Sequence, residues 1–429
     1  MNKSLTQKEE KMTPARFWIM LIALGLGYWL VMLLRQSLAI VSAEVSADLG
    51  LDAAQLGILG AIVLYGYAAM QIPGGLLADR IGARKIISIA MLLTAVATFG
   101  FSRSTNLTQA VISRLLTGIG ISVVYVPALN AIRNGCRDDQ FPLMTSMIFF
   151  FGNFGTFCAR KPMALLVEPL GWRAIYVIIA ALALVVGIVV WFAVPNKITN
   201  DTPTPEKLDE VDKNGKKKSP WAILYQPQFV TMLLWMFIMT GTISGGESLW
   251  DMPYLTTVQN MAKNHAVTIL TLATLFSMAS GPIVGALANK RNGTMFAITA
   301  FLRAIVFLLL ALIPVGFGTL PVATVFMLKG ISMSSYALLF AQLRRTCPSK
   351  ISGTLLGIAN TVSFLGGAIC TQGIGVIVKH MGNEGSHRAF QTVFFIFFAF
   401  LAVFTAMVCL TNFLPKKAKG PERVEELAK

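Results

Sequence analysis

Arg35, Arg114, Arg160, Lys161, Arg303 and Lys329 stand inside stretches that are otherwise almost wholly apolar, and the acid Glu247 joins them. A charge in such a setting is costly unless it is paired or faces a water-filled path, so each marks a candidate site. Cations placed this way bind a carboxylate or phosphate, arginine through its planar fork and lysine as a point charge. A buried carboxylate such as Glu247 can receive a coupling proton or hold an amine. The sharpest case is FCARKPMALL, Phe157 to Leu166, where Arg160 and Lys161 are adjacent. Neighbouring helical residues point about 100° apart. One of the two therefore faces a path while the other snorkels outward or pairs with Glu168, and Arg160, the better fork, is favoured inward.

The elements that must position these charges are long and apolar. The chain of 429 residues is 55% hydrophobic and only 13% charged, against about a quarter charged in soluble domains. Twelve near-continuous apolar runs recur, at 17–42, 55–78, 84–102, 108–132, 142–168, 172–194, 227–250, 266–288, 294–315, 320–342, 352–379 and 389–414. Each is long enough to cross about 30 Å of hydrocarbon as a helix. The first follows a polar, charged stretch without a small-residue cleavage site, and reads as a retained helix rather than a signal peptide. The fold class is thus an all-α membrane protein of twelve transmembrane helices. A polar, proline-bearing stretch, PNKITNDTPTPEKLDEVDKNGKKKSP, interrupts the runs and reads as a linker. It divides the chain into a tail (1–16), a six-helix bundle (17–194), the linker (195–220), a second six-helix bundle (221–414) and a second tail (415–429).

The formal charge of +16 follows this topology. Both ends and alternate connections collect the basic residues, six lysines between Lys197 and Lys218 among them. The other connections hold only Arg103, Arg173, Lys263, Lys379 and Arg388. Under the positive-inside rule this sets both termini in the cytoplasm of a multi-pass protein of the cell inner membrane, and argues against nucleic acid as the partner. The five cysteines show no paired spacing, and neither a disulfide framework, a metal site nor a cofactor is indicated.

The halves echo each other. Placing Gly118 of LLTGIGISVVYVPALNAIRN against Gly330 of MLKGISMSSYALLFAQLRR brings Arg133 onto Arg345, as in transporters built from repeated halves. Between the second and third runs lies GGLLADRIGARK, Gly74 to Lys85. It resembles the loop motif of the major facilitator superfamily, with Gly75, Asp79, Arg80, Gly82, Arg84 and Lys85 filling the pattern and Ala83 departing from it. Gly75 suits close helix approach and Gly82 a tight reversal, while Asp79 suits a helix N-terminus. The resemblance implies a latch that steadies one state of an alternating cycle. The counterpart loop, GALANKRNG, has Asn289 where the acid would be and implies a weaker latch.

At about 1.5 Å rise per residue, Arg35, Arg114, Arg160, Glu247 and Lys329 all fall between the middle and outer third of the membrane. The resemblance implies that spans one, four, seven and ten line a central path and that spans two, five, eight and eleven wall it. The expected substrate-binding residues are then Arg35, Arg114, Tyr125, Arg160, Lys161, Glu247, Lys329 and Asn360, with Glu247 the candidate for proton coupling. Arg303, on a span outside that core, reads as structural. Trp250 is expected at the membrane interface and Pro253 is expected to stop its helix.

The expected function is secondary active transport of a small polar metabolite, anionic or zwitterionic, by proton symport or exchange, with the protein a monomer. Amino-acid or other nutrient uptake is the near alternative. Drug efflux is disfavoured because span five lacks the GPxxGG-type signature. An enzyme is disfavoured because no catalytic constellation lies within the runs, and a non-transporting sensor because the longest loop is the linker. No ATP-binding loop of the GxxxxGK[ST] type is present.

Overall fold

A computed structural model describes residues 13–136, 140–195, 220–288, 292–347, 352–382 and 386–413. The expected tail 415–429, residues 1–12 of the expected tail 1–16, nearly all of the expected linker, and Asn289 lie outside them, while Pro14, Ala15 and Arg16 of the first tail already belong to the first helix. The described chain is helical throughout its spans. Helix α1 is Pro14–Leu49. α2 is Ala53–Ala69, continued by Gln71–Ile81. α3 is Ala83–Ser102, and α4 is Leu107–Ser122 followed by Tyr125–Gly135. α5 comprises Phe141–Cys158 and the opening of Lys161–Ala193, up to a corner at Gly171 (φ 76°), and α6 is the remainder of that segment. α7 runs from Pro227–Gly241 through Thr242–Trp250 and Asp251–Pro253 to Tyr254–Val258. α8 is Lys263–Ala288, α9 Asn292–Leu312, α10 Thr319–Ser332 followed by Ser334–Thr346, α11 Ser352–His380 and α12 His387–Val408.

Ten helices among the described residues are long and apolar enough to cross a membrane, and two further apolar helices, Ala53–Ala69 and Leu143–Cys158, are shorter. The breaks have a common cause. The segments ending at Ala69, Ser122 and Cys158 each stop four or five residues before a proline, Pro73, Pro127 and Pro162. A proline offers no N–H to the carbonyl one turn back, and its ring crowds that turn. At Met333, where α10 breaks, no proline is involved. There the hydroxyls of Ser332, Ser334 and Ser335 each bond back to a carbonyl three residues earlier, a pattern that bends helices.

Pro253 does not stop its helix, contrary to expectation. Around it α7 widens, so that the Asp251 N–H reaches the Gly246 carbonyl and the chain stays helical to Val258. Trp250 is not at the interface either. It is buried, and its Nε1 donates to the Thr371 carbonyl of α11 at 3.0 Å.

The packing repeats. α1 lies on α5, α2 on α4 and α3 on α6; in the second half α7 lies on α11, α8 on α10 and α9 on α12. The contact glycines repeat as well. A methyl on Gly118 would collide with the Val63 carbonyl of α2, and one on Gly330, its aligned partner, with the Ala273 carbonyl of α8. Gly155 stands in the same relation to Trp29 of α1, and Gly366 to Phe237 of α7. Without a hydrophobic driving force between helices in lipid, close backbone approach at small residues is what holds each half together.

The halves close on one face, the one opposite the ends of the described chain. There α2 packs along α11, with Gly57 directly against Gly375. Two ion pairs cross between halves at the same face: Lys263 with Glu44, and Lys379 Nζ with Asp52 Oδ2 at 2.9 Å. Asp52 also caps α2, accepting the Gln55 N–H while the Gln55 side chain accepts the N–H of Asp52. The Gln55 N–H, and then Lys379, hold the Asp52 carboxyl below its ordinary range.

Candidate functional site

Between the halves lies a cavity of about 970 Å³. Its walls come from the middle of the bundle and from helix parts nearer the face that bears the chain ends: Tyr67 and Gln71 of α2, Tyr125 and Val126 of α4, Phe340 and Ala341 of α10, Asn360 of α11. The cavity therefore faces the chain ends, and the packed α2–α11 contact seals its far side.

Its charged lining consists of Arg35, Arg160 and Lys329 against Glu247 and Asp251. Arg35 lies over the rings of Tyr67 and Phe364, 5.6 and 5.1 Å from their centroids, a cation–π sandwich made by α2 of one half and α11 of the other. Among the described residues its Nε has no hydrogen-bond partner, and Nη1 makes a long contact to the Met32 sulfur. Arg160 sits at the break in α5, with φ −98° and ψ −117°, and is 3% exposed. Its Nη2 donates to the backbone carbonyl of Glu247 at 2.8 Å, while Nε and Nη1 have no partner.

The two acids are held differently. Glu247 Oε1 accepts from Arg303 Nη2 at 2.9 Å. Arg303 is fully buried on α9 behind the cavity wall and also donates to the Lys329 carbonyl and to the hydroxyls of Thr242 and Ser332. It ties α9 to α7 and α10. Asp251 binds Lys329, whose Nζ reaches Oδ1 at 2.7 Å and Oδ2 at 2.6 Å. Both residues are about 2% exposed or less. A methyl on Gly246 would lie 3.0 Å from both Lys329 Nζ and Asp251 Oδ1, so a glycine there makes room for the pair.

Of the residues expected to bind substrate, Arg35, Tyr125, Arg160, Glu247, Lys329 and Asn360 come together at this cavity. Lys161 does not. It is exposed and donates to Thr268 Oγ1 of α8 at 3.2 Å, because the helix break and the turn per residue carry it away from Arg160. Arg114 is also outside the cavity wall. It is 2% exposed, lies 5.5 Å from the Phe101 ring centroid of α3, and lines a void of about 10 Å³ that Arg35 shares. Its helix turns it toward α3 rather than toward the path.

Asp251 is the charged residue of the cavity lining that sequence reasoning missed. The signal was present in GESLWD: two acids four residues apart share a helix face. It was obscured because Asp251 falls just past the apolar run and Pro253 suggested that the helix had ended.

In the loop motif, Gly82 has φ 81°, the left-handed region that lets α2 reverse into α3. Arg84 lies 4.6 Å from the Trp191 ring centroid of α6, and Arg80 and Lys85 are exposed. The side chains of Gly75 and Asp79 lie outside the described residues.

The sequence profile of the Major Facilitator Superfamily matches residues 24–371. The chain is 23% identical over 385 residues to the probable sulfoacetate transporter SauU of Cupriavidus necator, covering 83% of this chain and 86% of that one. It is 27% identical over 376 residues to the gentisate transporter of Corynebacterium glutamicum, covering 82% and 79%. Its fold resembles the crystal structure of a bacterial homologue of the human lysosomal transporter Spinster in an inward-facing and occupied conformation. The TM-score is 0.73 at 15% identity, covering 94% of this chain and all of the other.

Proposed function

The chain belongs to the Major Facilitator Superfamily, and on that premise we propose that it is a secondary active transporter of a small organic anion, working by alternating access. The observation that carries this reading is the pair of cavity guanidiniums. Arg35 and Arg160 face the cavity with N–H groups that have no partner and no carboxylate within ion-pair distance among the described residues. An unpaired cation in a poorly hydrated site is costly, and a carboxylate or sulfonate would offset that cost while accepting the free N–H groups. Tyr28, Tyr67, Tyr125, Phe149, Tyr336 and Phe364 present apolar faces around this charge, and Tyr125 and Asn360 supply hydrogen bonds for the rest of a polar solute. The names of the relatives, carriers of sulfoacetate and gentisate, agree with an organic acid.

A zwitterion is the weaker fit, because both cavity acids are already engaged by Arg303 and Lys329. Charge asymmetry supports chain ends in the cytoplasm, and with that topology the state described is open inward with its outer face closed. In the cycle the two six-helix bundles, joined by the linker at 195–220, rock about the central site. The outer ion pairs part as the cavity closes behind the solute, and the Gly75–Lys85 motif latches the inner face in the outward-open state. The carrier acts as a monomer in the cell inner membrane, with protons or a second solute as the coupled species.

Purified protein is screened by thermal shift against sulfoacetate, gentisate, D-glucarate, phosphate, glycine and glucose, and the hits are then tested for counterflow in proteoliposomes. Stabilisation by an organic anion that is lost in Arg35→Ala supports the reading. A response confined to glucose, or a hit indifferent to Arg35→Ala, sinks the anion assignment, and no counterflow with any solute sinks transport.

A further inference from the structure

We propose that the Lys329–Asp251 ion pair is opened by the transported anion, and that Asp251, rather than Glu247, takes up the proton that couples to transport. The proposal rests on the transporter reading above and extends it to the coupling step.

Among the described residues, Glu247 and Asp251 are the acids that line the cavity, and they differ in what a solute can reach. The partner of Glu247, Arg303, lies outside the cavity lining and is anchored by three further acceptors on α7 and α10. An anion in the cavity has no access to it. The partner of Asp251 is Lys329, which itself lines the cavity and spends its Nζ hydrogen bonds on the two Asp251 oxygens alone. Its remaining contacts are to ring faces, 5.5 Å from the Phe307 centroid and 5.2 Å from that of Phe326. Arg160, with two free N–H groups, lines the same cavity. An anion held by Arg160 can therefore compete with Asp251 for Lys329.

The consequence follows from burial. Asp251 is 2% exposed. Once Lys329 turns to the anion, an ionised carboxylate is left without a counter-ion in a low-dielectric site, which strongly disfavours its charged form. The groups facing it on neighbouring elements do not replace the lost partner. Arg160 of α5 is engaged by the Glu247 carbonyl and the anion, Arg303 of α9 by Glu247, and on α1 Arg35 lies between the Tyr67 and Phe364 rings while Glu44 is a like charge paired with Lys263. The cavity residues of α8, Leu270, Ala273, Thr274, Ser277 and Met278, carry no charge. On its own helix Glu247 is a like charge, and the Tyr254 hydroxyl is bonded to Gln259. A proton from cavity water then converts Asp251 from carboxylate to carboxylic acid. The balance is one anion bound and one proton taken up; no covalent bond within the protein changes. On release of the anion toward the chain-end face, Lys329 returns to Asp251 and the proton leaves.

The test uses full-length protein in detergent, with the organic anion from the panel that gives the largest thermal shift. In weakly buffered solution with a pH indicator, wild type should take up close to one proton per anion bound, and its affinity should fall by about tenfold per pH unit above the midpoint. Asp251→Asn should bind the anion without proton uptake and with pH-independent affinity, whereas Glu247→Gln should retain proton uptake. The assignment is overturned if wild type binds anion without taking up protons between pH 5 and 9, or if Asp251→Asn still takes them up. Where Asp251→Asn fails to fold, uptake by wild type together with its retention or loss in Glu247→Gln decides between the two acids that line the cavity. If no anion binds or exchanges, the transport reading falls together with this one; if exchange occurs without proton uptake, only the assignment of Asp251 falls.

Discussion

Arg160 of α5 and Glu247 of α7 meet across the boundary between the two halves, the Arg160 Nη2 donating to the Glu247 backbone carbonyl at 2.8 Å. One guanidinium thus senses both the cavity and the relative position of the halves. A carbonyl satisfies one face of the fork and leaves Nε and Nη1 for a ligand. Four predictions follow from this and neighbouring contacts.

Arg160 and Lys161 are adjacent but unequal. Arg160→Ala should weaken anion binding by about 100-fold, the loss of charge-assisted hydrogen bonds worth about 2–3 kcal/mol. Lys161→Ala should change it by less than about twofold, since its hydrogen bond to Thr268 is exposed and points away from the cavity. Calorimetric titration of the two variants checks this, and equal effects would refute the inward assignment of Arg160.

Arg303 should act through stability. Arg303→Met leaves Glu247 without its cation and should destabilise the protein by about 3 kcal/mol, at the low end for a broken buried pair because Glu247 is partly exposed. Adding Glu247→Gln removes the stranded charge and should recover part of the loss. Thermal melting of both single variants and the double variant measures the coupling; additive losses would exclude it.

The outer-face ion pairs should hold the closed state weakly and in a pH-dependent way. Exposed pairs contribute about 0.2–1 kcal/mol each, so Asp52→Asn should raise the outward-open population by no more than about fivefold. The Gln55 N–H of the α2 cap, and then Lys379, hold the Asp52 carboxyl below its ordinary value of about 3.9, and the Lys379 share, which crosses between the halves, belongs to the closed state alone. The stabilisation is therefore fully present above that value and is lost as pH falls through the depressed one. Distances between spin labels on the α1–α2 turn and the end of α11 should lengthen in the variant at neutral pH and in wild type only at acid pH.

The contact glycines should be intolerant of a methyl group. Gly155→Ala and Gly366→Ala each press a Cβ onto a backbone carbonyl of the neighbouring helix, and should cost about 1–3 kcal/mol or abolish folding. Gly281→Ala meets nothing within 4 Å and serves as the control, with an unchanged melting temperature expected.

Much of the architecture was legible because a bilayer imposes its own length and polarity rule on each span. Twelve apolar runs, their division by a polar stretch, and the Gly118–Gly330 echo can all be read without tertiary information. Each depends only on local composition or on a glycine that a neighbour's backbone must touch. That Arg35, Arg160, Glu247 and Lys329 stand at one level was legible for the same reason, since rise per residue converts position into height along a helix, and all four line the one cavity.

Direction around each helix, and the choice of partner, were decided by the tertiary structure. Arg114 and Lys161 have suitable depth, yet one is turned toward α3 and the other toward α8. Arg303 was legible as a structural residue, but its carboxylate partner was not, because α9 and α7 are brought together only by packing. Asp251 was hidden by a proline that usually ends a helix and here is absorbed by a widened turn. The sequence by itself determined which charges enter the membrane and at what height, because hydrophobic thickness acts on each segment alone. Which charges meet, which are neutralised and which stay free for a solute was decided by the packed bundle, because pairing depends on rotation and contact between helices far apart in the chain.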